Sequence, residues 1–216
     1  GEALALADQR MYADKGARRG AAHSAAREVL LQLLSEREPD LVQHMNDVAT
    51  LARSVARQLG LDAETVETTV RAAELHDVGK VAIPEAILTK PGPLDDAEWE
   101  VMRTHSELGE RMLAGMPNLA DVAPVVRHHH EHWDGTGYPD GLAGEAIPVE
   151  ARIVAAADAY SAITSSPPFH APRDPSQAVA ELRRSAGTHL EPRVAEALCQ
   201  VIEERLAAGT AVSAAP

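Results

Sequence analysis

A chain of 216 residues with a formal net charge of −13 is long enough to bury one main domain, and its acidity excludes broad binding of DNA or RNA through a basic surface. Two Trp, three Tyr and one Phe leave little material for a sheet core, and the richness in Ala, Leu, Glu and Arg favours an all-α fold. Hydrophobic runs are too short for a membrane span, and the single Cys199 excludes an internal disulfide.

The chain order begins with residues 1–22, which lack the basic-then-apolar order of a secretory signal; with the lone cysteine, this points to the reducing cytoplasm. They contain Ala7-Asp8-Gln9-Arg10-Met11-Tyr12-Ala13-Asp14-Lys15, then Gly16, Arg18 and Arg19. The stretch resembles the last helix and tail of a GGDEF (diguanylate cyclase) domain, and an ordinary surface helix is the alternative. The resemblance implies a chain cut from a longer protein, with an attached or partner GGDEF domain. A helix over 23–38, with Val29, Leu30, Leu33 and Leu34 on one side, would pack on the main domain or form a coupling coil to a preceding domain, and a homodimer is among the expected partners.

Between Pro39 and Gly60, Leu41, Met45, Val48, Ala52, Val55 and Leu59 recur at alternating spacings of four and three, which predicts one buried helical face. Pro39 suits the first turn and Gly60 the position past the end. His44 borders the buried face, and Asp40 lies one turn earlier on the same side. The next helix is expected to start at Asp62 as N-cap and run through Val66, Val70 and Ala73. His76 and Asp77 would fall in its last turn, Gly79 would end it, and Lys80 would project before an extended Val81-Ala82-Ile83-Pro84. Lys90-Pro91-Gly92-Pro93 marks a loop.

Asp95-Asp96-Ala97-Glu98 has the pattern of a capping box, and the helix behind it is expected to bury Trp99, Met102, Gly109, Met112 and Met116, with His105 on that stripe. A helix through Val122, Val125 and Val126 would deliver His129 and His130 before the glycine-rich Asp134-Gly135-Thr136-Gly137-Tyr138-Pro139. The helix over Val149–Ser165 is apolar almost all round. Between Arg152 and Arg173 only Asp158 is charged, and a carboxylate buried there needs a strong partner. After about Ala207 no pattern able to pack remains, and the tail is expected to fray.

Separate helices thus aim His44, His76-Asp77, His105, His129-His130 and Asp158 inward. A lone histidine on an apolar stripe is usually a hydrogen-bonded core residue; the joint occurrence points to a hydrolytic metal centre for phosphate esters. Histidine with carboxylate and no thiolate suits iron or manganese better than structural zinc.

At these residues the chain resembles the HD-GYP family, a branch of the HD phosphohydrolases. The matching segments are HDVGK at 76–80, KPGPL at 90–94, H-x-x-x-G at 105–109, HHEHWDGTGYPDGL at 129–142 and IPVEARIVAAADAYSAITS at 147–165. The resemblance implies an HD-type helical bundle with HD-GYP extensions over residues 23–206, flanked by 1–22 and a disordered 207–216. It also implies hydrolysis of cyclic di-GMP to pGpG or GMP by a metal-activated hydroxide. Carried over, His44, His76, Asp77 and Asp158 hold one divalent metal, and Asp77 bridges to a second on His105, His129 and His130. A third ion would use Asp40, whose alternative role is that of an acid favoured by the helix dipole. Lys80 would contact the scissile phosphate or its leaving oxygen, Tyr138 would donate to a phosphate, and Gly135 and Gly137 would let backbone approach the substrate.

The chain departs from the family after the Asp158 helix. There Ser165-Ser166-Pro167-Pro168-Phe169-His170 replaces a basic phosphate-binding run, so Pro167 stands for an arginine and His170 for an arginine or lysine. Each lost charge-assisted contact is worth about 1.5–3 kcal/mol. His132 also stands for an arginine, and Gly187-Thr188-His189-Leu190-Glu191-Pro192 varies the usual G-T-Q-F-D-P. Three readings stay open: a cyclic di-GMP phosphodiesterase with weakened substrate binding, a metal-dependent phosphohydrolase of another nucleotide, and a non-catalytic regulatory module.

Overall fold

The computed structural model describes residues 28–36, 39–164 and 174–213. The GGDEF-like stretch in 1–22, together with Pro167 and His170, lies outside these residues. The described helices are α1 (28–36), α2 (Pro39–Gln58), α3 (Ala63–Ala73), α4 (Glu85–Leu88), α5 (Asp96–Arg103), α6 (His105–Ala114), α7 (Ala123–His128), α8 (Val149–Thr164), α9 (Pro175–Ser185) and α10 (Pro192–Ser213). Two 3-10 turns, Val78–Ala82 and Gly144–Ala146, interrupt them. Among the described residues no β-strand forms; Ala186 and Leu190 share one isolated bridge.

The expected periodicity sets the bundle. On α2, Met45, Val48, Ala52 and Val55 are fully buried and Leu41 nearly so, while Leu59 beyond the helix is only partly covered. Each fully buried Val or Met contributes about 1.5–3 kcal/mol against exposure. Gly60 takes the left-handed φ of +72° that closes α2. Asp62 caps α3 by accepting from the amides of Glu64 and Thr65. α8 packs on α2, α3, α7, α9 and α10, and this enclosure is why its sequence is apolar on every side.

Three expectations need correction. α3 ends at Ala73, so His76 and Asp77 sit beyond it in tightened turns, where the amides of Leu75 and Val78 bond to Ala72 O and Leu75 O. Val81 and Ala82 belong to a 3-10 turn rather than to an extended segment; only Ile83 and Pro84 are extended before α4.

The single helix expected behind Asp95 is broken at Thr104. The side chains of Thr104, His105 and Ser106 bond to Val101 O, Met102 O and Arg103 O at 2.6, 2.8 and 3.2 Å. Three successive side chains thus occupy carbonyls that a continuing helix would use. Trp99 is left 46 % exposed, Met102, Met112 and Met116 are only partly covered, and Leu113 takes the buried place. The capping box itself forms as expected, with Asp95 and Glu98 bonding reciprocally. α10 runs on to Ser213, past the end of its apolar pattern, because extending an existing helix through Ala-rich sequence costs little.

Candidate metal centre

The turn carrying His76 and Asp77 is drawn against α6 by two glycines. A Cβ built on Gly79 would lie 1.8 Å from His105 O, so this approach of backbone to backbone exists only for glycine. On the facing side a Cβ built on Gly109 would lie 2.8 Å from Val126 Cγ1 and 3.4 Å from Gly79 N. His105 is thereby brought over Asp77 from a different helix.

One device orients three of the histidines. His76, His105 and His129 each follow the last turn of a helix, and each Nδ1 bonds to the carbonyl three residues earlier: Ala73 O at 2.7 Å, Met102 O at 2.8 Å and Val126 O at 2.6 Å. A carbonyl only accepts, so each Nδ1 carries the proton and each Nε2 presents a lone pair. These carbonyls belong to the group that a helix end leaves without intrahelical partners. His44 is held differently, from the middle of α2, with Nδ1 2.9 Å from Ser161 Oγ and Nε2 3.0 Å from Asp158 Oδ1.

Two groups of donors result, with ligand atoms within 4.8 Å of one another in each: His44, His76 and Asp77, and Asp77 with His105, His129 and His130. Asp77 is common to both. Its Oδ2 lies 3.4 Å from His76 Nε2 and its Oδ1 3.4 Å from His105 Nε2. Asp158 Oδ1 is 3.9 Å from His76 Nε2, and its partly exposed side chain sits at the rim of the group rather than sealed in the core. Asp40 is exposed in the first turn of α2 and belongs to neither group.

The donors fit divalent cations. His76 Nε2 is buried and has no hydrogen-bond partner. His105 Nε2 and His129 Nε2 are 3.4 Å apart; with both Nδ1 atoms protonated this sets two lone pairs against each other, a repulsion that a shared cation relieves. Burial holds His129 well below the usual imidazole range, reinforced by His130, and burial with His105 nearby takes His130 down to about 3. Both rings are therefore neutral, the form that binds metal. Burial opposes ionisation of Asp77, but the neighbouring Lys80 and His76 outweigh it and hold the carboxyl well below its usual range. Lys80 Nζ is 2.7 Å from Asp77 Oδ2.

Tyr138 stacks on His130, with ring centroids 4.8 Å apart, and burial together with the charge of Asp77 raises its phenol pKa, so it stays a neutral donor. Gly137 serves the loop itself: a Cβ there would meet His132 N at 2.3 Å and His130 O at 2.5 Å. Gly135 takes φ +81° and packs near Ala143. Within the run 128–132, His128 turns away to Asp140, and His132 stacks on His189 at 4.3 Å and bonds Thr136, so neither joins the donor groups.

The sequence reading missed the residues that hold these groups in place. Buried Glu131 accepts from the amides of Asp140 at 2.7 Å and Leu142 at 3.0 Å, which pins the glycine-rich loop from within. Arg127 grips Asp140 with two bonds of 2.7 and 2.8 Å while Glu110 holds its third donor at 2.8 Å. A glutamate inside a histidine run was the available signal for Glu131. Ser161 was legible only as a residue one turn after Asp158 on an otherwise apolar helix.

Two outcomes follow. Ser161→Ala removes the bond that orients His44 and is expected to weaken metal affinity about 10- to 100-fold, measured by competitive titration with a chelating indicator. The Arg127 hydrogen bond takes the Asp140 carboxyl down to about 2. A carboxyl lowered by folding stabilises above its unfolded pKa near 3.9 and loses that contribution as pH falls towards 2. Asp140 is partly exposed, so the discounted contribution is on the order of 1 kcal/mol. Denaturation midpoints should therefore fall less steeply between pH 4 and 2 for Asp140→Asn than for the parent.

A family model described as HD domain matches residues 28–194. The cyclic di-GMP phosphodiesterase response regulator RpfG of Xanthomonas campestris is 45 % identical over 159 residues, covering 73 % of this chain and 41 % of that protein. The 3′3′-cGAMP-specific phosphodiesterase 2 of Vibrio cholerae is 37 % identical, covering 82 % of this chain and 34 % of that protein. The chain thus spans well under half the length of these two relatives. A solved cyclic GMP-AMP phosphodiesterase of V. cholerae (V-cGAP3) shares the fold at a TM-score of 0.61 with 18 % identity, over 82 % of this chain and 48 % of that one. Among the described residues no helix is long and apolar enough to cross a membrane.

Proposed function

The chain belongs to the HD-domain family, and from that premise we propose that it is a metal-dependent phosphodiesterase of cyclic dinucleotides, of the HD-GYP branch, cleaving cyclic di-GMP to pGpG or GMP. The observation that carries this reading is Asp77 standing between two groups of histidine donors. His44, His76, Asp77 and Asp158 would hold one divalent ion and Asp77, His105, His129 and His130 a second, iron or manganese by their nitrogen and oxygen donors. Such ions supply Lewis-acid chemistry: they activate water and offset charge on phosphoryl oxygens. Asp40, exposed on α2, would serve a third ion only after its side chain turned inward.

The chain's own groups do the remaining work. Lys80 keeps an ammonium beside Asp77, placed to meet the scissile phosphate or its departing oxygen. Tyr138 keeps its proton and donates it in a hydrogen bond to a phosphate oxygen. Glu131 and Arg127 hold the loop so that Tyr138 does not have to be ordered at each turnover.

The reading takes residues 23–206 as the phosphohydrolase unit of a longer cytoplasmic protein and residues 1–22 as the end of a GGDEF-like domain. A purely regulatory module is disfavoured physically, because a scaffold gains nothing from burying Asp77 among rings whose lone pairs face one another. The names of the Vibrio relatives favour 3′3′-cGAMP as a second substrate.

The test is chromatography of cyclic di-GMP and 3′3′-cGAMP after incubation with protein loaded without oxygen with Fe(II) or Mn(II), with Asp77→Ala as control. Linear dinucleotide or mononucleotide, absent in the control, is expected. Full metal occupancy without product from either substrate would overturn the reading.

A further inference from the structure

Arg103 has taken no part in the chemistry above. It ends α5, two residues before His105, and its guanidinium lies over the Tyr138 ring, 5.5 Å from the centroid. Tyr138 in turn stacks on His130. The cation therefore stands within about 10 Å of a ring in the metal centre, the two centroid distances setting that limit. Its side chain is exposed, and among the described residues it has no carboxylate partner and no hydrogen bond.

Other cations near the centre are engaged. Lys80 is paired with Asp77, Arg127 with Asp140, Glu110 and Glu107, and Arg152 with Glu191. In a chain of net charge −13, a guanidinium with open donors beside the site marks where an anion is met. A cyclic dinucleotide carries two phosphates on one macrocycle. With one of them over the donors around Asp77, the second lies off-centre and still needs a counter-charge.

We infer that Arg103 is a specificity-determining residue, binding the second, uncleaved phosphate of the cyclic dinucleotide while its plane rests on Tyr138. This rests on the phosphodiesterase reading and goes beyond it by saying how the site selects a substrate with two phosphates. The planar fork suits a phosphate through paired N–H donors, and the aromatic face fixes the fork before the ligand arrives. Arg103 also complements the dipole at the C-terminal end of α5, but that role would not discriminate between substrates.

The test compares Arg103→Gln and Arg103→Lys with the parent, all Mn(II)-loaded and with metal content checked. Two substrates are used: cyclic di-GMP, and bis(4-nitrophenyl) phosphate, which has a single phosphate. Cyclic di-GMP is assayed both for cleavage and as an inhibitor of bis(4-nitrophenyl) phosphate hydrolysis. For Arg103→Gln, KM and the inhibition constant for cyclic di-GMP are expected to rise about 10- to 100-fold, well beyond any change for the single-phosphate substrate, with kcat much less affected. Arg103→Lys, which restores charge without the fork, should recover part of the loss. Equal inhibition constants in parent and Arg103→Gln, or equal losses on both substrates, would overturn the inference. Parent protein that binds but does not cleave cyclic di-GMP would overturn cyclic di-GMP as the substrate, with Arg103 still judged by inhibition. Absence of both cleavage and inhibition would overturn both.

Discussion

Asp77→Ala is expected to lose metal from both donor groups at once and to lower turnover by at least about a thousandfold. Each of its carboxylate oxygens faces a different histidine, so no remaining side chain reaches both groups. Removing a single transition-state hydrogen-bond donor from an enzyme site typically costs about 10²–10³ in kcat, and here an anion common to two cation sites is lost. The helices should survive, since the variant no longer buries a carboxylate. Elemental analysis of the purified variant, beside its circular dichroism, makes the check. Full metal retention would show that Asp77 does not serve both groups. By contrast, Asp158→Ala touches only the rim of the His44 and His76 group and should spare metal on the other.

The second large effect is on stability. Gly79→Ala would put a methyl carbon 1.8 Å from His105 O and 2.7 Å from Gly109 N, both backbone atoms that no side-chain rotation can move aside. Overpacking of this kind costs about 3 kcal/mol or more, the upper part of the usual range. For a chain of this size that corresponds to a fall in Tm of about 6–12 °C, readable by thermal denaturation of the metal-free protein. Because the same contact carries His105 over Asp77, metal affinity should fall with it. An unchanged Tm would mean that the turn and α6 do not touch as described. Glycine in the H-D-x-G-K segment is thus explained by packing, with no demand on its own φ.

Much of the metal centre was legible because ligand chemistry is restrictive. His44, His76, Asp77, His105, His129, His130 and Asp158 stood out as polar residues on buried faces, and the structure brings all seven together. Helical periodicity located α2 and an apolar run broken only by Asp158 located α8, both nearly to the residue, since such surfaces must be buried. Asp40 shows the limit of position alone: a residue one turn from His44 still points to solvent at the helix start.

Other features depended on contacts between segments distant in sequence. The break at Thr104 follows from local side-chain bonds to carbonyls, yet its effect, an exposed Trp99 and a buried Leu113, is visible only once α6 packs on α7 and the 3-10 turn. The roles of Glu131, Arg127, Ser161 and Arg103 are set by partners 9 to 117 residues away. The sequence by itself determined the helical class, the donor set and the chemistry those donors permit, because these depend on residue type and local period. The tertiary structure alone decided how the donors divide into two groups around Asp77 and which arginine is left open at the rim. Those depend on distances across the fold, which no local pattern encodes.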